Sequence, residues 1–366
     1  MKHLSSSRRT IAIVLATLLA TLNVACAGGL DVKHVNSAAD KPNNVWVFFK
    51  VKKGDDGVGS LTAADFTIYE DDKEVSQHES QQVILNPEVA AVMYTLLLVD
   101  MSGSITESGQ ADTLVDAAKS FSDKVGKSQK VGVYAFDGSE KLHSVVTFTE
   151  AKGSVEGGLE GLRKFKPKDP STNLHGAVVE GLRTLREELD KEKKPLKFGT
   201  LVVFTDGTDQ AARVSADDMG KEIDDEQYEL FEIYAIGVGA EMDESQLGNI
   251  GRDGTELAAD HAKIQEAFDK IAARVENHTK SFYLLSYCTP ARAGKHQVRI
   301  EANYKQGEDE GSGSLEYEFD AEGFGPPPKC DPKKKPKFDL KRPELDPEDG
   351  GSSKGDASVD ANVTVK

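Results

Sequence analysis

The chain reads as an α/β protein: a doubly wound, mostly parallel sheet flanked by a small β-sandwich-like unit built from N- and C-terminal strands. Three observations predict this. Across residues 89–283, apolar runs such as MYTLLLVD, FGTLVVFTDG and LFEIYAIGVG alternate with stretches of helical period, as strands covered on both faces do. On either side of that region, short stretches rich in β-branched and aromatic residues alternate apolar with polar, as half-exposed strands do. The chain has 366 residues, 38% hydrophobic and 29% charged, which is a globular composition with enough length for more than one core.

Taken in order, residues 1–26 read as an export signal. A basic start (MKHLSSSRR) precedes an apolar run (IAIVLATLLATL) too short for a stable span, and small residues follow in NVACAGG. Two cleavage readings compete: a lipoprotein-type cut before Cys26, leaving that cysteine lipidated, or an ordinary cut after Ala27. The segment resembles a bacterial lipobox, with Asn23 where Leu is usual and Leu22 one place away, and the lipid reading is favoured. Residues 27–42 are polar and read as a tether. Residues 43–88 form the N-terminal β unit: VWVFFKVK (45–52), then FTIYEDDKEV (66–75) as strand, acidic turn and strand, then QQVIL (81–85).

The α/β region occupies 89–283. In 113–126, Leu114, Ala117, Phe121 and Val125 share one helical face. Strands follow at 131–138 and 142–149, helices at 157–165 and 174–192, a strand at 198–207 and a short helix at 214–226. A strand at 230–239 and helices at 243–251 and 261–278 complete the region. Residues 284–323 hold C-terminal strands that pack with 43–88. From 324 to 366, Pro, Lys, Asp and Gly dominate, and the segment reads as disordered apart from Cys330, because it lacks the apolar surface to offset ordering.

The cysteines are Cys26, Cys288 and Cys330. If Cys26 carries lipid or leaves with the signal, two remain in an oxidising compartment, and a Cys288–Cys330 disulfide follows, with two free thiols as the alternative. Closing such a loop stabilises by about 4 kcal/mol in the chain-entropy model. Loss of Lys2, Arg8 and Arg9 with the signal takes the net charge from −17 to about −20. That balance argues against nucleic acid and against broad adhesion to anionic membrane. No second apolar run reaches membrane length, so membrane attachment is expected by lipid anchor only.

One constellation carries chemistry. Asp100, Ser102 and Ser104 follow the first strand of the α/β region, Thr172 lies in a loop entering a helix (PSTNLHGAV), and Asp206 ends another buried strand (VVFTDGTD). Each alone fits a helix cap or turn. In an open parallel sheet, however, all five sit beyond the carboxyl ends of strands, on one rim. Oxygen ligands without imidazole or thiolate suit a hard cation, Mg²⁺ in particular. Neutral hydroxyl ligands leave the ion with excess positive charge, which an outside carboxylate would satisfy.

Asp-x-Ser-x-Ser, then Thr, then Asp, in this order on these elements, resembles a von Willebrand factor type A domain with a complete metal-ion-dependent adhesion site. The resemblance covers about residues 92–283 and implies a Rossmann-like fold. It implies that Ser102, Ser104 and one further oxygen bind the metal directly, and that Asp100 and Asp206 bind directly or through water. It further implies Mg²⁺ (or Mn²⁺, with Ca²⁺ possible), a protein ligand presenting an exposed Asp or Glu, and a last helix, near 261–278, that slides on ligand binding. GVGSLTAADFTIYEDDKEV also resembles the β segment preceding this domain in some secreted bacterial proteins.

The expected function is therefore an exported adhesion or interaction module of a bacterial cell envelope, lipid-anchored at the outer membrane or periplasmic face rather than freely secreted. It is not expected to be an enzyme: no general base has a clear role, and there is no G-x-S-x-G elbow or phosphate loop. The alternatives are a metal-free envelope scaffold and, further off, a metal-dependent hydrolase. His78-Glu79 begins a zinc-protease-like stretch, but Gln82 stands where the second His belongs. His175 and Asp137 lie near the rim and read as packing or turn residues, while Asp209 fits a supporting role or a turn equally. Asn277 and Asn362 begin glycosylation sequons that carry little weight in a bacterial chain.

Overall fold

The computed structural model describes residues 29–239, 244–325 and 329–338. The export segment with Cys26, and the chain beyond 338 with Asn362, lie outside the described residues. In chain order the strands are β1 (Asp31–Asp40), β2 (Asn44–Lys53), β3 (Asp56–Gly57), β4 (Phe66–Glu70), β5 (Lys73–Val75), β6 (Val83–Leu85), β7 (Ala91–Asp100), β8 (Lys130–Phe136), β9 (His143–Thr149), β10 (Leu196–Thr205), β11 (Phe231–Val238), β12 (Gly254–Ala258), β13 (Phe282–Cys288), β14 (Lys295–Gln306) and β15 (Asp309–Asp320). The α-helices are α1 (Gln77–Ser80), α2 (Gly103–Glu107), α3 (Ala111–Val125), α4 (Lys152–Leu162), α5 (Leu174–Asp190), α6 (Ala216–Ile223), α7 (Glu244–Gly248) and α8 (Ile264–Lys280).

A six-stranded sheet in the order β12-β11-β10-β7-β8-β9 forms the α/β unit, parallel except for β9, which runs antiparallel to β8. It is doubly wound. One face packs α3, α4 and α8 through Leu114, Phe121, Leu159, Phe268 and Ile271; the other packs α5, α6 and α7 through Leu182, Leu185, Met219 and Leu247. Burial on both faces explains the unbroken apolar run of β7, whose last seven residues are all buried. β7 pairs with β10 on one side and β8 on the other; after β7 the chain goes to α3 on one face, and after β10 to α6 on the other. The crevice beyond its carboxyl end is therefore the topological switch point. β12 was not foreseen: GTELA is short and only its Ala258 is buried, so its pattern is weak.

The second unit is a sandwich of two sheets, β1-β2-β13-β6 with β3 on the β2 edge, and β15-β14-β4-β5. Inward residues of both, among them Val47, Phe49, Phe66, Ile68, Tyr283, Leu285 and Ile300, make one core. Chain segments from before and after the α/β unit thus complete one another. Three sequence expectations need correction. The described part of the expected 27–42 tether, from residue 29, is not one: β1 pairs along β2, with Val32 and Val35 buried, and a register shift between His34 and Asn36 breaks the simple alternation. The boundary does not fall at 283, because all of β13 belongs to the sandwich, paired with β2 and β6. Nor is the chain disordered from 324: residues 329–338 pack against the sandwich, held by the Cys288–Cys330 disulfide and by side chains of β2.

Candidate metal site

The rim is built the same way at each strand end. Where β7 stops, Asp100 Oδ1 accepts the Ser102 amide (2.9 Å). Where β8 stops, Asp137 Oδ1 accepts the Ser139 amide (2.8 Å). Where β10 stops, Thr205 Oγ1 accepts the Gly207 amide (3.3 Å). Each side chain turns the backbone sharply by bonding two residues on. Three loops leave the sheet this way and are then tied together. Gly103 N donates to Pro170 O (2.8 Å), Gly138 N to Asp169 O (3.0 Å), and Gln210 N and Ala211 N both donate to Thr172 O (2.9 and 3.0 Å).

Three of the five predicted residues join in one chain of oxygens, and Asp100 is held beside it. Thr205 Oγ1 donates to Asp100 Oδ2 (2.7 Å), Ser102 and Ser104 share a hydroxyl–hydroxyl hydrogen bond (3.1 Å), and Ser104 Oγ donates to Asp206 Oδ1 (2.9 Å). Thr172, 2% exposed, is brought to the same rim by the backbone bonds from the loop that follows Asp206. Asp100 is fully buried, and burial together with the nearby Asp206 charge pushes its carboxyl up to about 6. Buried acid beside acid is an environment that favours a cation. The donor set is oxygen throughout, two hydroxyls linked to the Asp206 carboxylate with Asp100 beside them, and it fits a hard divalent ion. Among the described residues no group of three or more His, Cys, Asp or Glu is placed to hold a metal.

Residues 95–208 match the model of the von Willebrand factor type A domain. The chain carries a von Willebrand factor type A domain. That match spans β7 to the turn after β10, and so includes all five predicted residues. Among solved structures, the chain is similar to a von Willebrand factor type A protein from Catenulispora acidiphila (13% identity, 81% of this chain and 73% of that one, TM-score 0.41). It is also similar to the ArnB paralog VWA2 from Sulfolobus acidocaldarius (13% identity, 79% and 74%, TM-score 0.40). A third is proximal thread matrix protein 1 from the mussel byssus, with a zinc-occupied MIDAS motif (18% identity, 51% and 48%, TM-score 0.40); this chain spans about half its length. No curated protein matches the chain.

The remaining sequence candidates in the type A domain are structural. Asp137 is fully buried; burial pushes its carboxyl up, but the Ser139 and Lys168 amides and His143 outweigh that and hold it down at about 2. It anchors the loop that carries Thr172. Asp209 accepts the His175 amide (3.1 Å) in the first turn of α5 and the Ala212 amide (2.9 Å), which fastens the Asp206 loop to that helix. His175 Nδ1 lies 3.1 Å from Val214 O. In the sandwich, Gln82 donates to Ala63 O and Phe66 O, a packing role. Thr205 and Arg213 were missed. Thr205 orients Asp100, and its only signal is its place, one residue past the Val99–Phe204 pair at the strand end. Arg213 donates to Gly138 O (2.6 Å) and Asp169 (3.3 Å), ties that depend on how two distant loops meet.

Proposed function

We propose that this protein is an exported, lipid-anchored binding module of a bacterial envelope and not an enzyme. Its rim of Asp100, Ser102, Ser104, Thr172 and Asp206 holds Mg²⁺ or Mn²⁺ and takes an Asp or Glu carboxylate of a partner protein. The observation that supports this best is the linked Ser102–Ser104–Asp206 oxygens beside buried Asp100 at the switch point of the sheet. When bound, the ion supplies a Lewis-acidic position for one outside carboxylate. The protein's own residues do the rest: Thr205 and the Ser102 amide fix Asp100, Ser104 and Asp206 face each other across the crevice, and the backbone ties to Thr172 close the rim. Among the described residues no helix is long and apolar enough to cross a membrane. The rim's serine hydroxyls are committed to one another and to Asp206, which supports a docking point over a reaction centre.

Calorimetric titration of the full chain with Mg²⁺, Mn²⁺ and Ca²⁺, beside Asp206→Ala, tests this. Saturable one-site binding of Mg²⁺ or Mn²⁺ that is lost in the variant is the expected result. Absence of binding in the unaltered protein would overturn the reading in favour of a metal-free scaffold, and equal binding in Asp206→Ala would overturn it by placing the ion away from the rim.

A further inference from the structure

Residues 329–338 form a strap across the sandwich, on the side that meets the α/β unit. Cys330 is bonded to Cys288 at the end of β13, with Cα atoms 5.9 Å apart. From β2, Asn44 Nδ2 donates to Asp331 O (2.6 Å) and Trp46 Nε1 donates to Lys334 O (3.0 Å). Lys334 Nζ donates to Asp40 Oδ2 (2.9 Å) and Lys41 O (3.2 Å) at the turn between β1 and β2. Phe338 packs against the apolar cluster in which Trp46, Phe48 and Phe282 of the sandwich meet Ala91 and Phe198 of the α/β unit. The strap therefore braces the junction between the two units.

These contacts are few for ten ordered residues. Several of the strap's residues, Lys333, Lys335 and Lys337 among them, are exposed. A handful of hydrogen bonds, the buried Pro332 and the half-buried Pro336 and Phe338 set a modest stabilisation against the entropy of ordering such a segment, and the disulfide adds to it. Both cysteines line an open cavity of about 40 Å³ together with Glu79, Thr289 and Arg292; Cys288 is buried and Cys330 half-buried.

We propose that Cys288–Cys330 is a reversible latch, opened from the half-buried Cys330 side by a small dithiol, and that opening it frees the 329–338 strap from the face bearing Trp46. The reductant's thiolate attacks one cysteine sulfur. The S–S bond breaks, and its electron pair leaves on the other cysteine, which takes a proton from solvent. The reductant's second thiol then displaces the first cysteine, so the reductant ends as a disulfide and the protein gains two thiols. The cation site takes no part in this.

Trp46 is the only tryptophan in the chain, so its emission reports the strap directly. The full chain is treated with dithiothreitol without denaturant, then reoxidised, and Cys330→Ser is compared. The expected result is two new thiols, a red shift and stronger acrylamide quenching of Trp46, and tryptic cleavage at Lys333–Lys337. Far-ultraviolet circular dichroism is expected to stay unchanged, and all of these effects to reverse on reoxidation. Three results would each overturn the latch: thiols that appear only in denaturant, thiols that appear with Trp46 and the strap unaltered, or loss of sheet signal on reduction. The reduced unaltered chain carries the test alone if Cys330→Ser does not fold.

Discussion

At the scale of single residues, Asp100 and Asp137 show how the same side chain at the same kind of strand end reaches opposite states. Both are fully buried, and burial raises both. Asp137 gathers two backbone amides and His143 and falls to about 2; Asp100 faces Asp206 and rises to about 6. Asp137→Asn is therefore expected to destabilise the protein by about 2 kcal/mol at neutral pH. Because the folded value is depressed, that contribution is present above the ordinary carboxylate range and is lost as pH falls toward about 2. Urea midpoints of variant and unaltered protein should thus differ at pH 7 and converge near the acid end. The same variant should weaken Mg²⁺ binding, since Lys168 and the loop to Thr172 lose their anchor. The gathering of these five residues at one rim was legible from sequence because it follows from residue type and order along one chain. Asp137's role was not, because its partners Lys168 and His143 come from other segments.

At the scale of elements, legibility followed how much each segment depends on itself. β7, α3 and α5 bury their own periodic faces, and the sequence shows them. β1, β12 and the 329–338 strap are ordered by what they pair with, so local composition misreads them. The loop from β3 toward β4 is a further case: a Cβ on Gly57 would lie 2.1 Å from the Asn277 carbonyl of α8. Gly57→Ala is expected to cost about 1–3 kcal/mol, read as a lower thermal midpoint, because backbone and not a flexible side chain must yield. Inside the sandwich, Glu70 at the end of β4 is buried, and burial raises its carboxyl although Thr289 donates to it (2.7 Å). A raised folded value means stability is highest below the ordinary carboxylate range and falls as pH climbs through the raised one. Glu70→Gln should therefore raise the thermal midpoint at pH 8 and leave it nearly unchanged at pH 4.

At the scale of the whole molecule, the sandwich and the α/β unit are joined by more than their two chain crossings. α8 ends at Lys280, and after Ser281 the chain becomes β13, hydrogen-bonded to β2 on one side and β6 on the other. Any displacement of α8 along its axis would therefore pull on an interior strand of the sandwich. At the same junction Lys50 of β2 lies 2.9 Å from Glu232 of β11 and 2.6 Å from His278 of α8, and the imidazole also meets the Glu232 carboxylate. Burial brings Lys50 down to about 8 and lowers His278, while His278, Lys50 and the Tyr234 hydroxyl outweigh burial and hold Glu232 well below the usual carboxylate range. The cluster spans both units, so removing one member leaves charge stranded at their interface. Lys50→Met should destabilise by about 3–5 kcal/mol, because Glu232 stays buried with a weakened set of partners. Adding Glu232→Met should recover much of that loss, since two apolar side chains of similar size fill the space without an unpaired charge. Urea unfolding of the two single variants and the double variant, followed at Trp46 and by circular dichroism, measures the coupling. Additive losses would show that the cluster does not hold the units together. A double variant more stable than Lys50→Met alone would show that the contact between sandwich and α/β unit is electrostatic at its centre and apolar at the Trp46 side.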